Sequence, residues 1–154
     1  MINVLIYGIG GKMGANVISA INDTDGVQVV CGVDKFAPET VKVPVYESAQ
    51  NVQEKVDVLI DFSRPDALND ILAFAEKSGC ALVLATTGYS AEQQAKIDAM
   101  SAKVPVFRAS NFSLGINLLI DLAKKAASVL GLSYDVEIVE AHHNMKVDAP
   151  SGTA

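Results

Sequence analysis

Short apolar runs and longer segments with a helical repeat alternate along most of the chain. INVLIY (2–7), VQVVCGV (27–33), VDVLIDF (56–62), CALVLAT (80–86) and VPVFRA (104–109) are nearly all apolar and rich in β-branched residues. Strands of that kind are covered on both faces. Between them, KMGANVISAIN (12–22) carries Met13, Val17, Ile18 and Ile21 on one helical stripe. DALNDILAFAEKSG (66–79) and SAEQQAKIDAMSA (90–102) have the same repeat. Pro65 suits the first turn of the second helix and Gly79 its C-terminal end. This βαβα order predicts a Rossmann-like doubly wound parallel sheet over residues 1–111.

The pattern changes after Asn111. FSLGINLLIDLAKKAASVL (112–130) predicts a long helix whose apolar positions spread widely enough for burial on more than one side. SYDVEIVEAHH (133–143) alternates polar and apolar residues, which predicts a strand with one solvated face. Residues 112–154 therefore read as the start of a second, α+β domain.

Half of the 154 residues are hydrophobic, enough for a sizeable core, but tryptophan is absent, so aliphatic side chains must fill it. The formal net charge of −6 argues against non-specific binding to nucleic acid or a membrane surface. It leaves room for an anionic ligand held by backbone N–H groups. Cys31 and Cys80 lie apart in apolar runs and read as buried thiols in a reducing compartment. The opening MINVLIYGIGG has no basic leader region, and no run is long enough to span a bilayer. A soluble, cytoplasmic protein is expected.

The first chemistry-bearing stretch is GIGGKMG (8–14), between the first strand and first helix. Glycines there let the backbone approach a pyrophosphate at the helix N-terminus. The strict GxGxxG spacing is not met, since its third glycine would fall on Met13. A tight turn with close helix–strand packing would also explain the glycines. Asp34 ends the second strand about twenty residues after Gly14, the place from which an acid bonds the adenosine ribose. Lys35 follows and suits a 2′-phosphate, so the pair predicts tolerance of both NADH and NADPH. A solvated turn is the alternative for this pair.

The second stretch is EAHHNMKVDAPSGTA (140–154). Adjacent residues on a strand face opposite ways, so His142 and His143 do not suit one metal ion, and no metal site is expected. A histidine suits acid–base work near neutrality, and Lys146 adds a proton donor and a cation. An exposed strand end with ordinary polar residues is the alternative. Pro150-Ser151-Gly152-Thr153 reads as a helix entry whose free N–H groups bind a carboxylate, or as simple capping.

These residues resemble the dihydrodipicolinate reductase family, over the whole chain and corresponding to its N-terminal portion. Residues 140–153 resemble the signature E-x-H-H-x-x-K-x-D-x-P-S-G-T. GIGGKMG resembles the nucleotide loop, and ATTGY (85–89) the Gly-Thr-Thr-Gly turn beside the nicotinamide, with Ala85 replacing the first glycine. DFSRP (61–65) and SNFSLGIN (110–117) match two further blocks. The resemblance implies NAD(P)H-dependent reduction of 4-hydroxy-tetrahydrodipicolinate in lysine and diaminopimelate biosynthesis. It implies His142 and Lys146 as the acid–base pair, and Thr87, His143, Lys146, Ser151, Gly152 and Thr153 as substrate contacts. Gly8, Gly10, Gly11, Lys12, Met13, Gly14, Asp34, Lys35, Phe62, Ala85, Thr87, Gly88, Ser110 and Phe112 would line the cofactor site. Family members are longer and form homotetramers. A truncated, poorly active form is therefore expected here, with a dimer or altered assembly through residues 133–143. A Rossmann module that binds nucleotide without catalysis is the rival reading.

Overall fold

Val4, Leu5 and Ile6 are all buried, yet they serve two cores. Successive side chains of a strand face opposite ways. Leu5 therefore joins Leu59, Leu82, Leu84, Leu68, Ile71 and Ile97 on one face, while Val4 and Ile6 join Ile9 and Ile21 on the other. The near-continuous apolar strands are explained by this double cover. The computed structural model describes residues 1–142, 144 and 151.

Six parallel strands form one sheet in the order β3-β2-β1-β4-β5-β6. They are β1 (Ile2–Tyr7), β2 (Val27–Val33), β3 (Val45–Tyr46), β4 (Val58–Asp61), β5 (Ala81–Leu84) and β6 (Val106–Arg108). Helix α1 (Lys12–Asn22) packs on one face; α2 (Leu68–Ser78) and α3 (Ala91–Ser101) pack on the other. The doubly wound arrangement is thus present. The chain runs outward from β1 to β3, then returns to build β4–β6 on the other side, so its switch point lies between β1 and β4.

Local signals set most boundaries. Gly79 ends α2 at φ +72, a left-handed cap with its N–H bonded to Ala75 O at 2.8 Å. Pro65 opens a 3-10 turn (Pro65–Ala67) that leads into α2, so the helix proper begins at Leu68 rather than Asp66. Ser90 and Gln93 form a reciprocal capping box at the start of α3. Strand β3 has two residues, too few to show any periodicity, and was not expected. It is placed by pairing to β2, with Gly32 N–H bonded to Pro44 O and Asp34 N–H to Tyr46 O.

The chain divides into two compact units, Met1–Arg108 and Ala109–Ala154. In the second, α4 (Leu114–Leu130) starts at a Ser113 cap and is followed by a 3-10 turn, Gly131–Ser133. Two expectations need correction here. No residue of α4 is buried, and Leu118, Leu119, Leu122 and Val129 are exposed. The expected strand at 133–143 is absent from the described residues; 135–142 carry no regular structure. Alternation gives a segment the faces of a strand, but a strand exists only through a hydrogen-bonded neighbour. Among the described residues, no helix is long and apolar enough to cross a membrane.

Cys31 and Cys80 are free and buried, as expected. Burial first, and then the neighbouring Glu54, push the Cys31 thiol up to about 12, so it is inert near neutrality.

Asp70, on α2, ties β1 to the loop after β3. Its carboxylate accepts from Tyr7 Oη (3.0 Å), Ser48 Oγ (2.8 Å), Ala49 N (2.8 Å) and Gln50 Nε2 (3.2 Å). Burial alone would raise its pKa; the bonds from Ala49, Ser48, Tyr7 and Gln50 outweigh it and hold the group below the usual 3.8. A lowered folded value means that its stabilisation is complete above the unfolded value and is lost as pH falls through the folded one. Asp70→Asn should therefore cost about 1–2 kcal/mol near neutral pH, a figure kept low because the site is partly exposed. Urea unfolding of both proteins should show that gap closing as the pH drops below about 4.

Candidate functional site

Parallel α/β sheets bind ligands beyond the C-terminal ends of their strands, at the switch point. Four segments of the first unit meet there. The β1–α1 turn carries Gly8–Gly14. Asp34 and Lys35 follow β2, Phe62 and Ser63 follow β4, and Ala85–Tyr89 follow β5.

The glycine turn is held by close backbone approach. Gly8 has φ +84, and a Cβ on it would lie 2.9 Å from Phe62 O. A Cβ on Gly10 would collide with Phe36 O, and one on Gly14 with Ile9 O and, at 2.7 Å, with Gly8 O. Gly11 differs: its φ of −80 suits any residue, and its nearest neighbour would be Gly8 O at 3.4 Å. Gly11 is the N-cap of α1, and no side chain caps that helix. The first i→i−4 bond runs from Ala15 N to Gly11 O at 3.1 Å. The amides of Lys12, Met13 and Gly14 lie ahead of it, an N–H array at the positive end of an 11-residue helix. By contrast, α3 and α4 are capped by Ser90 and Ser113. The uncapped turn suits a pyrophosphate.

Asp34 is already engaged. It accepts from Gly10 N at 2.9 Å through Oδ2 and from Phe36 N at 3.2 Å through Oδ1. The acid at the end of β2 therefore braces the glycine turn as well as facing the edge where a ribose would lie. Lys35 and Phe36 are exposed beside it.

Across the switch point, Thr87 and Gly88 are exposed, and Gly88 has φ +82. Ala85 N bonds Asp61 O at 2.9 Å. Composition and motif reading missed Asp61, Ser63, Thr86 and Tyr89 around this turn. The D, S and Y of DFS and TTGY were visible, but a buried acid at a strand end gives no periodic signal.

Ser110, Phe112, His142 and Ser151 belong to the second unit. There Glu140 takes a central place that the sequence reading had left unassigned. Its Oε2 lies 2.7 Å from His142 Nδ1, and its Oε1 accepts the Ser151 N–H. A carboxylate on Nδ1 fixes the ring and leaves Nε2 for a proton. His143, Lys146, Gly152 and Thr153 lie outside the described residues.

A separate pocket of about 410 Å³ opens at the opposite edge, before β4 and β5, between Lys55, Asp57, Phe74, Lys77 and Cys80. None of the expected site residues lines it. The switch-point edge is the better candidate, because there a helix N-terminus, a glycine turn and an acid converge.

Residues 2–112 match the family model for the N-terminus of dihydrodipicolinate reductase, and residues 115–154 match that for its C-terminus. The 4-hydroxy-tetrahydrodipicolinate reductases of Clostridium novyi and Caldanaerobacter subterraneus are each 46% identical to the chain over 154 residues. Those matches cover 100% of this chain and 61% of each relative, so the chain spans about three fifths of their length. The solved dipicolinate-bound dihydrodipicolinate reductase of a Paenisporosarcina species superimposes with a TM-score of 0.80 at 30% identity, over 99% of this chain and 62% of that one. An NAD-binding protein from Listeria innocua shares the fold, with a TM-score of 0.64 at 18% identity, over 81% of this chain and 40% of that one. By its matched sequence from end to end, the chain belongs to the dihydrodipicolinate reductase family.

Proposed function

We propose that the protein is an NAD(P)H-dependent reductase that converts 4-hydroxy-tetrahydrodipicolinate to tetrahydrodipicolinate, in the cytoplasmic synthesis of lysine and diaminopimelate. One observation carries this reading: the uncapped, glycine-lined start of α1 stands beside Asp34 and across the switch point from Thr87 and Gly88. That edge fits a dinucleotide. Gly8, Gly10, Gly11, Lys12, Met13 and Gly14 would hold the pyrophosphate, and Asp34 and Lys35 the adenosine ribose. Phe62, Ala85, Thr87, Gly88, Ser110 and Phe112 would flank the nicotinamide. When bound, the cofactor supplies the hydride.

Residues 1–111 form the cofactor domain in this reading, and 112–154 begin the substrate and oligomerisation domain. His142, oriented by Glu140, would deliver the proton that keeps negative charge from building up on the substrate. Lys146 would share the acid–base work and neutralise a substrate carboxylate. His143, Ser151, Gly152, Thr153 and Thr87 would bind the rest of the dianion, with fixed donors in place of water. Homo-oligomeric assembly through the second domain completes the proposal.

Oxidation of NADH or NADPH, followed with enzymatically generated substrate, tests it. Slow but substrate-dependent oxidation is expected, in keeping with a poorly active form. Cofactor binding without any substrate-dependent oxidation would favour a nucleotide-binding module and sink the reductase reading.

Asp34 allows a narrower test. Asp34→Ala removes a ribose acceptor and the repulsion of a 2′-phosphate, and also frees the Gly10 N–H. Both cofactors should weaken, NADH more, so that the NADH/NADPH Kd ratio rises by about tenfold. A ratio that falls in equilibrium titrations would mean that the roles of Asp34 and Lys35 are reversed.

A further inference from the structure

Among the described residues, only two polar side chains are buried, Asp61 and Thr86. Asp61 ends β4, and Thr86 follows β5, its paired neighbour. Asp61 is 0% exposed. Removing an acid from water costs several kcal/mol unless donors replace the water. The donors here all come from the two loops at the switch-point edge. Ser63 gives its N–H at 2.9 Å and its hydroxyl, and Tyr89 gives its phenol at 3.0 Å.

These bonds clasp the loop after β4 to the loop after β5. The second loop is thereby pinned at both ends. Thr86 is buried beside Tyr89, and Tyr89 is tied to Asp61. Between them only Thr87 and Gly88 reach solvent, with Gly88 at φ +82. Gln93 Nε2 holds the first loop from α3, through Pro65 O at 2.8 Å. An apolar residue at position 61 would fill the sheet as well, but it could not bind two loops at once.

We propose that Asp61 and Tyr89 are positioning residues for the nicotinamide half of the cofactor site, setting where Thr87 and Gly88 stand. This rests on the dinucleotide reading given above. Burial first, and then the neighbouring Asp61, push Tyr89 ionisation far above its usual range, so the phenol remains a donor at any working pH.

The test compares NADH with ADP-ribose, which keeps the adenosine and pyrophosphate but lacks the nicotinamide. Binding of each is measured by calorimetry to the full 154-residue chain, its Tyr89→Phe variant and its Asp61→Asn variant. Emission of bound NADH is recorded in parallel, and no tryptophan overlaps it. Tyr89→Phe leaves one buried Asp61 oxygen without its donor, so its melting temperature should fall by several degrees while the chain stays folded at the titration temperature. Its NADH affinity should fall by about tenfold and its bound-NADH emission should shift toward that of free NADH. Its ADP-ribose affinity should stay within about twofold. Equal losses for both ligands, or no loss for either, would overturn the proposal. If Asp61→Asn fails to fold, Tyr89→Phe decides alone. A parent chain that binds neither ligand would instead remove the dinucleotide reading itself.

Discussion

Gly11→Asp is expected to fold like the parent chain and to lose more than about a hundredfold in dinucleotide affinity. Gly11 is the one glycine of the turn with room for a side chain, at an ordinary φ of −80. Aspartate is among the best N-cap residues, so its carboxylate would accept the first-turn N–H groups that the pyrophosphate needs. Fold stability should hold or rise slightly while the cradle is filled by the chain's own charge. Two charge-assisted bonds lost, at roughly 1.5–3 kcal/mol each, account for the size of the effect. Gly14→Asp would not separate the two roles. A Cβ there meets Ile9 O and Gly8 O, so the variant would lose fold and binding together. Calorimetric titration beside a thermal melt reads both quantities. Retained binding in Gly11→Asp would move the pyrophosphate away from α1.

His142→Gln is expected to lower the rate of substrate-dependent cofactor oxidation by about 10²–10⁴-fold, the usual worth of general acid–base catalysis. Glutamine keeps a polar side chain of similar reach but cannot pass a proton at neutral pH. Cofactor affinity should change little, since the substitution alters none of the residues assigned to the dinucleotide. Glu140→Gln should give a smaller loss, because its amide keeps a contact to Nδ1 while removing the charge that orients the ring. Single-turnover measurements with the protein in excess separate these effects from product release. A His142→Gln rate equal to that of the parent would end the acid–base assignment.

Much of the first unit was legible because its physics is local and repeated. Buried parallel strands must be apolar, so INVLIY and CALVLAT announced themselves; Pro65 and Gly79 marked the ends of the second helix through known backbone chemistry. Strand β3 was not legible, since two residues hold no period and their placement comes from pairing with β2. The strand expected at 133–143 shows the converse: VEIV alternates well, but alternation does not supply a neighbour. The candidate site divides in the same way. GIGGKMG and Asp34 could be found from spacing, and the structure adds why they act together, through the Gly10–Asp34 bond. Asp61 could not be found, because a buried acid is recognisable only once Ser63 and Tyr89 are seen around it. Glu140 stood in plain view at the start of the signature, but its role depends on a 2.7 Å contact to His142 that spacing does not reveal.

The central claim is that a nicotinamide dinucleotide lies across the switch point between β1 and β4. Amide chemical shifts recorded during an NADH titration test it most directly. Saturable shifts are expected at Gly10–Gly14, Asp34 and Thr87–Gly88, and little change at the opposite edge around Lys55 and Lys77–Cys80. Shifts confined to that opposite pocket, with the glycine turn unmoved, would contradict the account.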